Sequence, residues 1–294
     1  MYRAVDADHR GGQEDAALSG VTSPPVQRGH PPRSRRDAVL AVLGGVTGGA
    51  VGAAFGVGGG LVFVPLLALV LRRGQHVAHA TSLVAIILPA TVAAARYGFA
   101  GEVAWPAALV LTGGTLTGVA VGAQLLPRVS EAWLRAGFAT LVGLIGLRML
   151  IVGGAAASTG GGSAALSGAD AALLAAGGFV AGVESSLLGV SGGIIIVPFL
   201  VLLLGYSQHL AEGTSLAVIV PTVLVGAARH ARNGYTEWGL GLRLGACAAL
   251  GAFLGADVAL SLREHVLRRA FGALLVVVAA LVVVRGRDRK RATP

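Results

Sequence analysis

Charge is what this sequence has least of. Of its 294 residues only 13% are Asp, Glu, Lys or Arg, against 54% hydrophobic. A soluble domain carries about a quarter charged residues, so a soluble globular chain is excluded. A single cysteine, Cys247, lies inside an apolar run, which rules out disulfides and cysteine metal sites. No lysine follows the glycine clusters as a phosphate-binding loop requires. The first 37 residues lack the basic-then-apolar order of a signal peptide. They are polar and rich in Pro, Gly and Arg, and read as a disordered cytoplasmic tail.

What is present is apolar sequence in long runs, giving a mean hydropathy of +0.76. Such runs approach or exceed the roughly 18 residues needed to cross a bilayer. The formal net charge of +9 would suggest nucleic acid in a soluble protein. Here the basic residues, such as Arg33, Arg35, Arg36, Arg72 and Arg73, sit at the ends of runs and between them. That is the anchoring pattern of cytoplasmic loops, and no nucleic-acid partner is expected. The expected fold is therefore an all-α polytopic membrane protein with the lipid bilayer as its partner.

Five apolar segments, 38–55, 61–71, 78–95, 103–126 and 133–152, precede a linker of Gly, Ala and Ser. Five more follow at 171–188, 194–204, 210–228, 238–261 and 266–284. The domain reading is a tail (1–37), a first transmembrane repeat (38–152), a linker (153–169), a second repeat (170–285) and a basic cytoplasmic tail (286–294). The repeats align at a constant offset of 133 residues, and 22 of the 50 positions from Gly56 to Trp105 are identical in the second copy. Shared Gln75/Gln208, His76/His209, Thr81/Thr214, Arg96/Arg229 and Trp105/Trp238 are not a product of low complexity. Internal duplication of this kind marks secondary transporters. An odd number of elements per copy inverts the second copy relative to the first. Basic residues at both ends place both termini in the cytoplasm, although Arg263, Arg268 and Arg269 then fall outside, against the rule.

The second segment of each copy has only 11 residues, follows a glycine cluster and carries Pro65 or Pro198. Glycine at that density breaks a helix, while proline is tolerated near a helix start. The reading is a half-helix whose N-terminus points into the protein and offers N–H donors to an anion. Paired interrupted segments are the sequence pointer to a transporter site. The alternative, glycines that only let helices pack closely, accounts for Gly44, Gly45, Gly48, Gly49 and Gly52. Candidate anion-binding residues are Gly58, Gly59, Gly60, Thr81 and Ser82 in the first copy. Ser191, Gly192, Gly193, Thr214 and Ser215 supply the second. The hydroxyls either donate to an oxyanion or cap a helix.

Ionisable residues inside spans are expensive and usually functional. Glu184 stands opposite Val51 of the first copy, so the fold does not demand a carboxylate there. It is the candidate for proton coupling, with a structural hydrogen bond as the alternative. Arg96 and Arg229 are vestibule candidates or interfacial anchors. Asp257, opposite Gln124, reads as polar packing. His76 and His209 read as capping residues in interfacial loops, and no metal or cofactor is expected.

Each copy resembles the sulfite exporter TauE/SafE family. The first carries it in Gly56, Gly58, Gly59, Gly60, Pro65, Leu67, Thr81, Ser82, Leu83, Gly101 and Trp105. The second carries it in Gly189, Gly192, Gly193, Pro198, Leu200, Thr214, Ser215, Leu216, Gly234 and Trp238, with Ser191 replacing a glycine. The resemblance implies a plasma-membrane permease for sulfite, sulfonates or related anions. Two other readings compete. A passive anion channel would use the same half-helix site. An intramembrane serine protease is suggested by Gly189-Val190-Ser191-Gly192, but its serine needs a histidine base. The nearest candidate, His230, ends a segment.

Overall fold

The structure, a computed structural model, describes residues 35–125, 131–151, 167–188, 192–232, 234 and 236–291. Among them are ten α-helices and one π-helical stretch. The first half contains α1 (Arg35–Ala54), α2 (Gly60–Pro65) with the π-helical stretch Leu66–Val70, α3 (Gln75–Phe99), α4 (Trp105–Leu125) and α5 (Glu131–Ile151). The second half contains α6 (Gly168–Leu188), α7 (Gly193–Leu203), α8 (Gln208–Arg232), α9 (Trp238–Ser261) and α10 (Glu264–Arg291). Every helix start of the first half, α1 to α5, recurs at the 133-residue offset in α6 to α10.

Among the described residues five helices are long and apolar enough to cross a membrane: α3, α4, α8, α9 and α10. Two expected boundaries differ. Helix α1 begins at Arg35, inside the expected tail, and α10 continues through the basic segment to Arg291. Both extensions are Arg-rich, and arginine is a good helix former that continues a helix begun by apolar packing. The rest of the expected tail and most of the linker lie outside the described residues.

The halves are exchanged in packing. Helix α4 lies along α6 of the other half, and α9 lies along α1. Small residues make both contacts possible. A Cβ on Gly114, Gly118 or Gly122 would strike the α6 backbone at Ala175, Phe179 and Val183. On Gly251 and Gly255 it would strike the carbonyls of Val46 and Ala50 in α1. Close backbone approach at a four-residue spacing is how membrane helices associate without a hydrophobic driving force.

Equivalent helices also pair with each other, and they run antiparallel. Tyr97, near the end of α3, meets Glu212 near the start of α8, while His79 near the start of α3 meets His230 near the end of α8. Likewise Gly146 of α5 lies against Gly272 and Leu275 of α10, and Gly143 against Ala279. An operation that maps α3 onto an antiparallel α8 reverses chain direction, which is the geometry of inverted halves.

Candidate functional site

The first glycine cluster ends one helix and starts another, and the second starts a helix at Gly193. Helix α1 closes when the N–H groups of Val57 and Gly58 both donate to the Gly52 carbonyl, a wrap that needs a left-handed residue just past the helix. Gly56 supplies it with φ of 65°. Gly59, at φ 85°, then caps α2, its carbonyl accepting from Val62 and Phe63. In the second half Gly192, at φ 41°, caps α7, its carbonyl accepting from Ile195 and Ile196. The N–H groups of Gly60, Leu61, Gly193 and Ile194 therefore precede the first helical bonds, as orphan donors do. Residues 189–191, including the candidate Ser191, lie outside the described residues.

The two breaks abut. A Cβ on Gly193 would meet the Gly56 carbonyl, the Val57 Cα and the Ser215 hydroxyl. Gly58 lies between Ile86 and Ile219, which are themselves equivalent residues of α3 and α8. A niche beside Gly192, lined by Thr115, Ile196, Val218, Ile219, Thr222 and Val223, has room for little more than a water molecule.

The four described candidate hydroxyls, Thr81, Ser82, Thr214 and Ser215, all bond to protein backbone. The Thr214 oxygen accepts from the Ala104 N–H at 3.0 Å, and the Thr81 oxygen accepts from the equivalent Glu237 N–H at 3.2 Å. Each threonine thus satisfies the backbone just before a tryptophan that begins the next helix of the opposite half. Ser215 donates to the Gly56 carbonyl at 2.7 Å and Ser82 to the His79 carbonyl at 2.8 Å. Gly58, Gly59, Gly60, Gly192, Gly193 and Ser215 are brought to the paired breaks, whereas Thr81 and Ser82 serve the contact with α9 and their own helix.

Glu184 is buried, and neither carboxylate oxygen has a hydrogen-bond partner among the described residues. It lies one turn beyond Ala181, the residue against Gly192, so it shares the face of α6 that meets the second break. Arg96 is not a free vestibule cation. Its Nε donates to Asp257 Oδ1 of α9 at 2.6 Å, so Asp257 is an ion-pair partner and more than polar packing. The equivalent of Asp257 is Gln124, which leaves Arg229 without a matching carboxylate; it is exposed near the end of α8. A second cross-half pair joins Arg73 to Glu237 at 3.2 Å.

His209 is not a loop residue. It belongs to the first turn of α8, is buried, and places Nε2 3.0 Å from the Ala259 carbonyl; His76 likewise sits in the first turn of α3. Glu212 and His79, three residues further along the same two helices, were missed with them. Glu212 is fully buried in α8, where Oε1 accepts from Gln208 Nε2 at 2.8 Å and Oε2 accepts from the Tyr97 hydroxyl at 3.1 Å. At the equivalent place His79 and His230 stack edge to face, 5.5 Å between ring centres. The available signal was the mismatch in the alignment, where Glu212 stands opposite His79 and His230 opposite Tyr97. In the turn after α3, burial raises the Glu102 carboxyl above its usual range; His209 opposes the rise and Glu264 adds to it.

The chain is similar to known proteins over nearly its whole length. The family model described as sulfite exporter TauE/SafE matches residues 16–168 and 174–294. A "Probable membrane transporter protein" of Xylella fastidiosa strain Temecula1 is 27% identical over 245 residues, covering 81% of this chain and 93% of the relative. The "Probable membrane transporter protein YunE" of Bacillus subtilis is 25% identical over 273 residues, 84% of this chain and 98% of the relative. A "Probable membrane transporter protein" of Haemophilus influenzae is 26% identical over 260 residues, 82% of this chain and 96% of the relative. No solved structure matches the chain significantly. A duplicated helical fold with five spanning-length helices and a family match across both halves leads to one conclusion: the chain belongs to the sulfite exporter TauE/SafE family and is a multi-pass membrane transporter.

Proposed function

We propose that the protein moves a small sulfur-containing oxyanion, sulfite or an organosulfonate, across the plasma membrane by alternating access, binding it at the paired half-helix starts. The observation that carries this reading is the meeting of the breaks, with Gly193 against the Gly56 carbonyl and both half-helices capped by left-handed glycines. Helix N-termini suit an oxyanion because their N–H groups are unspent and their dipole end is positive. The niche beside Gly192 is too small for sulfite, so binding requires α4 and α8 to part, as rocking of one half against the other would do. Glu184, buried on the face toward Gly192, is the residue we assign to carrying the coupled proton.

The test uses purified full-length protein in proteoliposomes, with sulfite, sulfate, thiosulfate and a sulfonate compared under an imposed proton gradient. The reading expects one sulfur anion to accumulate against its own gradient, and Glu184→Gln to abolish that accumulation while downhill exchange persists. Flux that only runs downhill would indicate a pore. No flux above that of protein-free vesicles for any of the four would remove the substrate assignment.

A further inference from the structure

Glu212 has a hydrogen-bond arrangement that the anion site does not need. It is a fully buried carboxylate, and no ion pair among the described residues neutralises it. Its two oxygens are held by neutral donors, the Gln208 amide and the Tyr97 hydroxyl. That hydroxyl also lies 3.4 Å from the Ala53 carbonyl. A phenol has one hydrogen to give, so Tyr97 serves either the carboxylate or the carbonyl, and the proton on Glu212 decides which.

With Glu212 ionised, Tyr97 donates to Oε2. With Glu212 neutral, the acid donates to the Tyr97 oxygen and Tyr97 turns its hydrogen to Ala53. The Ala53 carbonyl lies in the last turn of α1, and the Val57 N–H that would ordinarily bond it is committed to Gly52. It is one of the orphan carbonyls of a helix end. The same stretch of α8 touches the break itself, since a Cβ on Gly56 would lie 2.8 Å from the Glu212 Cα. The proton state is therefore read at the residue where α1 ends and the first break begins.

Resting on the transport reading above, we propose that Glu212 is a proton-binding residue and Tyr97 its positioning partner, together setting the capping of α1 and hence the conformation of the first break. The surrounding titratable groups are few. His209 lies beside Glu212 on α8 with its ring on Ala259 of α9. Glu102 in the turn after α3 and Glu264 at the start of α10 are near enough to interact electrostatically with Tyr97 and Glu212 respectively. On α3 the neighbouring cation Arg96 is held by Asp257 of α9. The described parts of α1 and α4, and all of α7, contribute no titratable side chain facing it.

The proton site is tested first by infrared difference spectroscopy on the purified full-length protein across pH. The wild type should show a titrating protonated-carboxyl C=O band that is lost in Glu212→Gln and shifted in frequency in Tyr97→Phe. If Glu212→Gln fails to fold, Tyr97→Phe, which removes one hydroxyl, still decides, because an unshifted band overturns the assignment. The consequence is tested by exchange of methanesulfonate, which stays ionised throughout, at equal pH on both sides of the vesicle. In a Glu184→Gln background, where exchange persists without the coupling residue, Gln at 212 mimics the neutral acid, so exchange should be independent of pH and fixed at the acid limit of that background. Tyr97→Phe should keep a titrating band but lose the pH response. The background's own pH dependence in both variants overturns the switch and leaves the transport reading intact. A wild type that moves no methanesulfonate while the band titrates and disappears in Glu212→Gln upholds the proton site and counts against the sulfonate as substrate.

Discussion

Two equivalent interfaces of this protein are built differently. Helix α3 packs closely on α9, while the counterpart contact of α4 with α8 is much slighter. The sequence difference is small. Where α9 meets α3 it carries Gly241 and Gly245, whose missing Cβ atoms let it reach Val84 and Ala85. At the equivalent places α4 carries Ala108 and Thr112. The niche beside Gly192, with Thr115 of α4 on one side and Val218 and Thr222 of α8 on the other, occupies the looser interface. Two added side chains thus distinguish a closed contact from one with room in it. In a protein with inverted halves, that inequality is how one side of a site can be shut while the other admits solvent.

The largest expected effect comes from the caps of the two half-helices. Gly59 sits at φ 85°, and a Cβ there would come within 2.8 Å of the Gly48 carbonyl, whereas for Gly192 at φ 41° the nearest atom among the described residues is at 3.3 Å. Valine is disfavoured at either φ, so Gly59→Val and Gly192→Val should both abolish anion flux. Among the described residues only the first also faces a backbone collision, and overpacking of that kind costs about 1–3 kcal/mol. Gly59→Val should therefore lower the melting temperature in detergent more than Gly192→Val does. Equal melting temperatures, or wild-type flux in both, would show that the caps are interchangeable packing glycines.

The next effect is one of access. In a Cys247→Ala background, a cysteine replacing Thr222 at the niche should react with a water-soluble thiol reagent, and one replacing the equivalent Pro89 should not, because Pro89 is buried. Gly245→Leu, which forces α9 away from the Ala85 carbonyl, should raise labelling at position 89 at least several-fold. Equal labelling of the two cysteines in the parent would erase the distinction between the interfaces.

The larger part of this architecture was legible because the duplication supplied an internal control. Gly56, Pro65, Thr81, Trp105 and their partners at the 133-residue offset located the breaks and the following helix starts, since glycine and proline act through the local backbone. The destinations of side chains were harder to read. Thr81 and Thr214 bind backbone N–H groups across the halves, a contact that depends on how α3 and α8 meet α9 and α4. Arg96 finds Asp257 161 positions away, and only tertiary packing brings them together. Glu212 was overlooked because the first turn of a span reads as interface in sequence. The buried turn from Gln208 to Ser215 shows that α8 enters the protein at once. The useful clue for such residues was divergence between the copies, as at Glu184 with Val51 and Glu212 with His79.

The smallest expected effect lies in the turns that follow α3 and α8. The first carries Glu102, and the sequence places Tyr235 at the same offset in the second copy. Burial is the main reason that the Glu102 carboxyl binds its proton more tightly than usual, with Glu264 adding and His209 opposing. The folded protein then holds that proton at a pH where the unfolded chain, with an ordinary value of about 4.3, has lost it. A raised acid contributes stability below the unfolded value, and that contribution is lost as pH rises through the folded value. Glu102→Gln removes the titration, so its melting temperature in detergent should gain on the wild type as pH rises above about 4, and stop gaining once pH has passed the folded value. The gain should be small because the side chain is partly exposed and water screens it. A phenol stays neutral over the same range, so Tyr235→Phe should leave the pH slope as it is. Parallel slopes for wild type and Glu102→Gln would mean that the two turns differ in residue type without differing in proton binding.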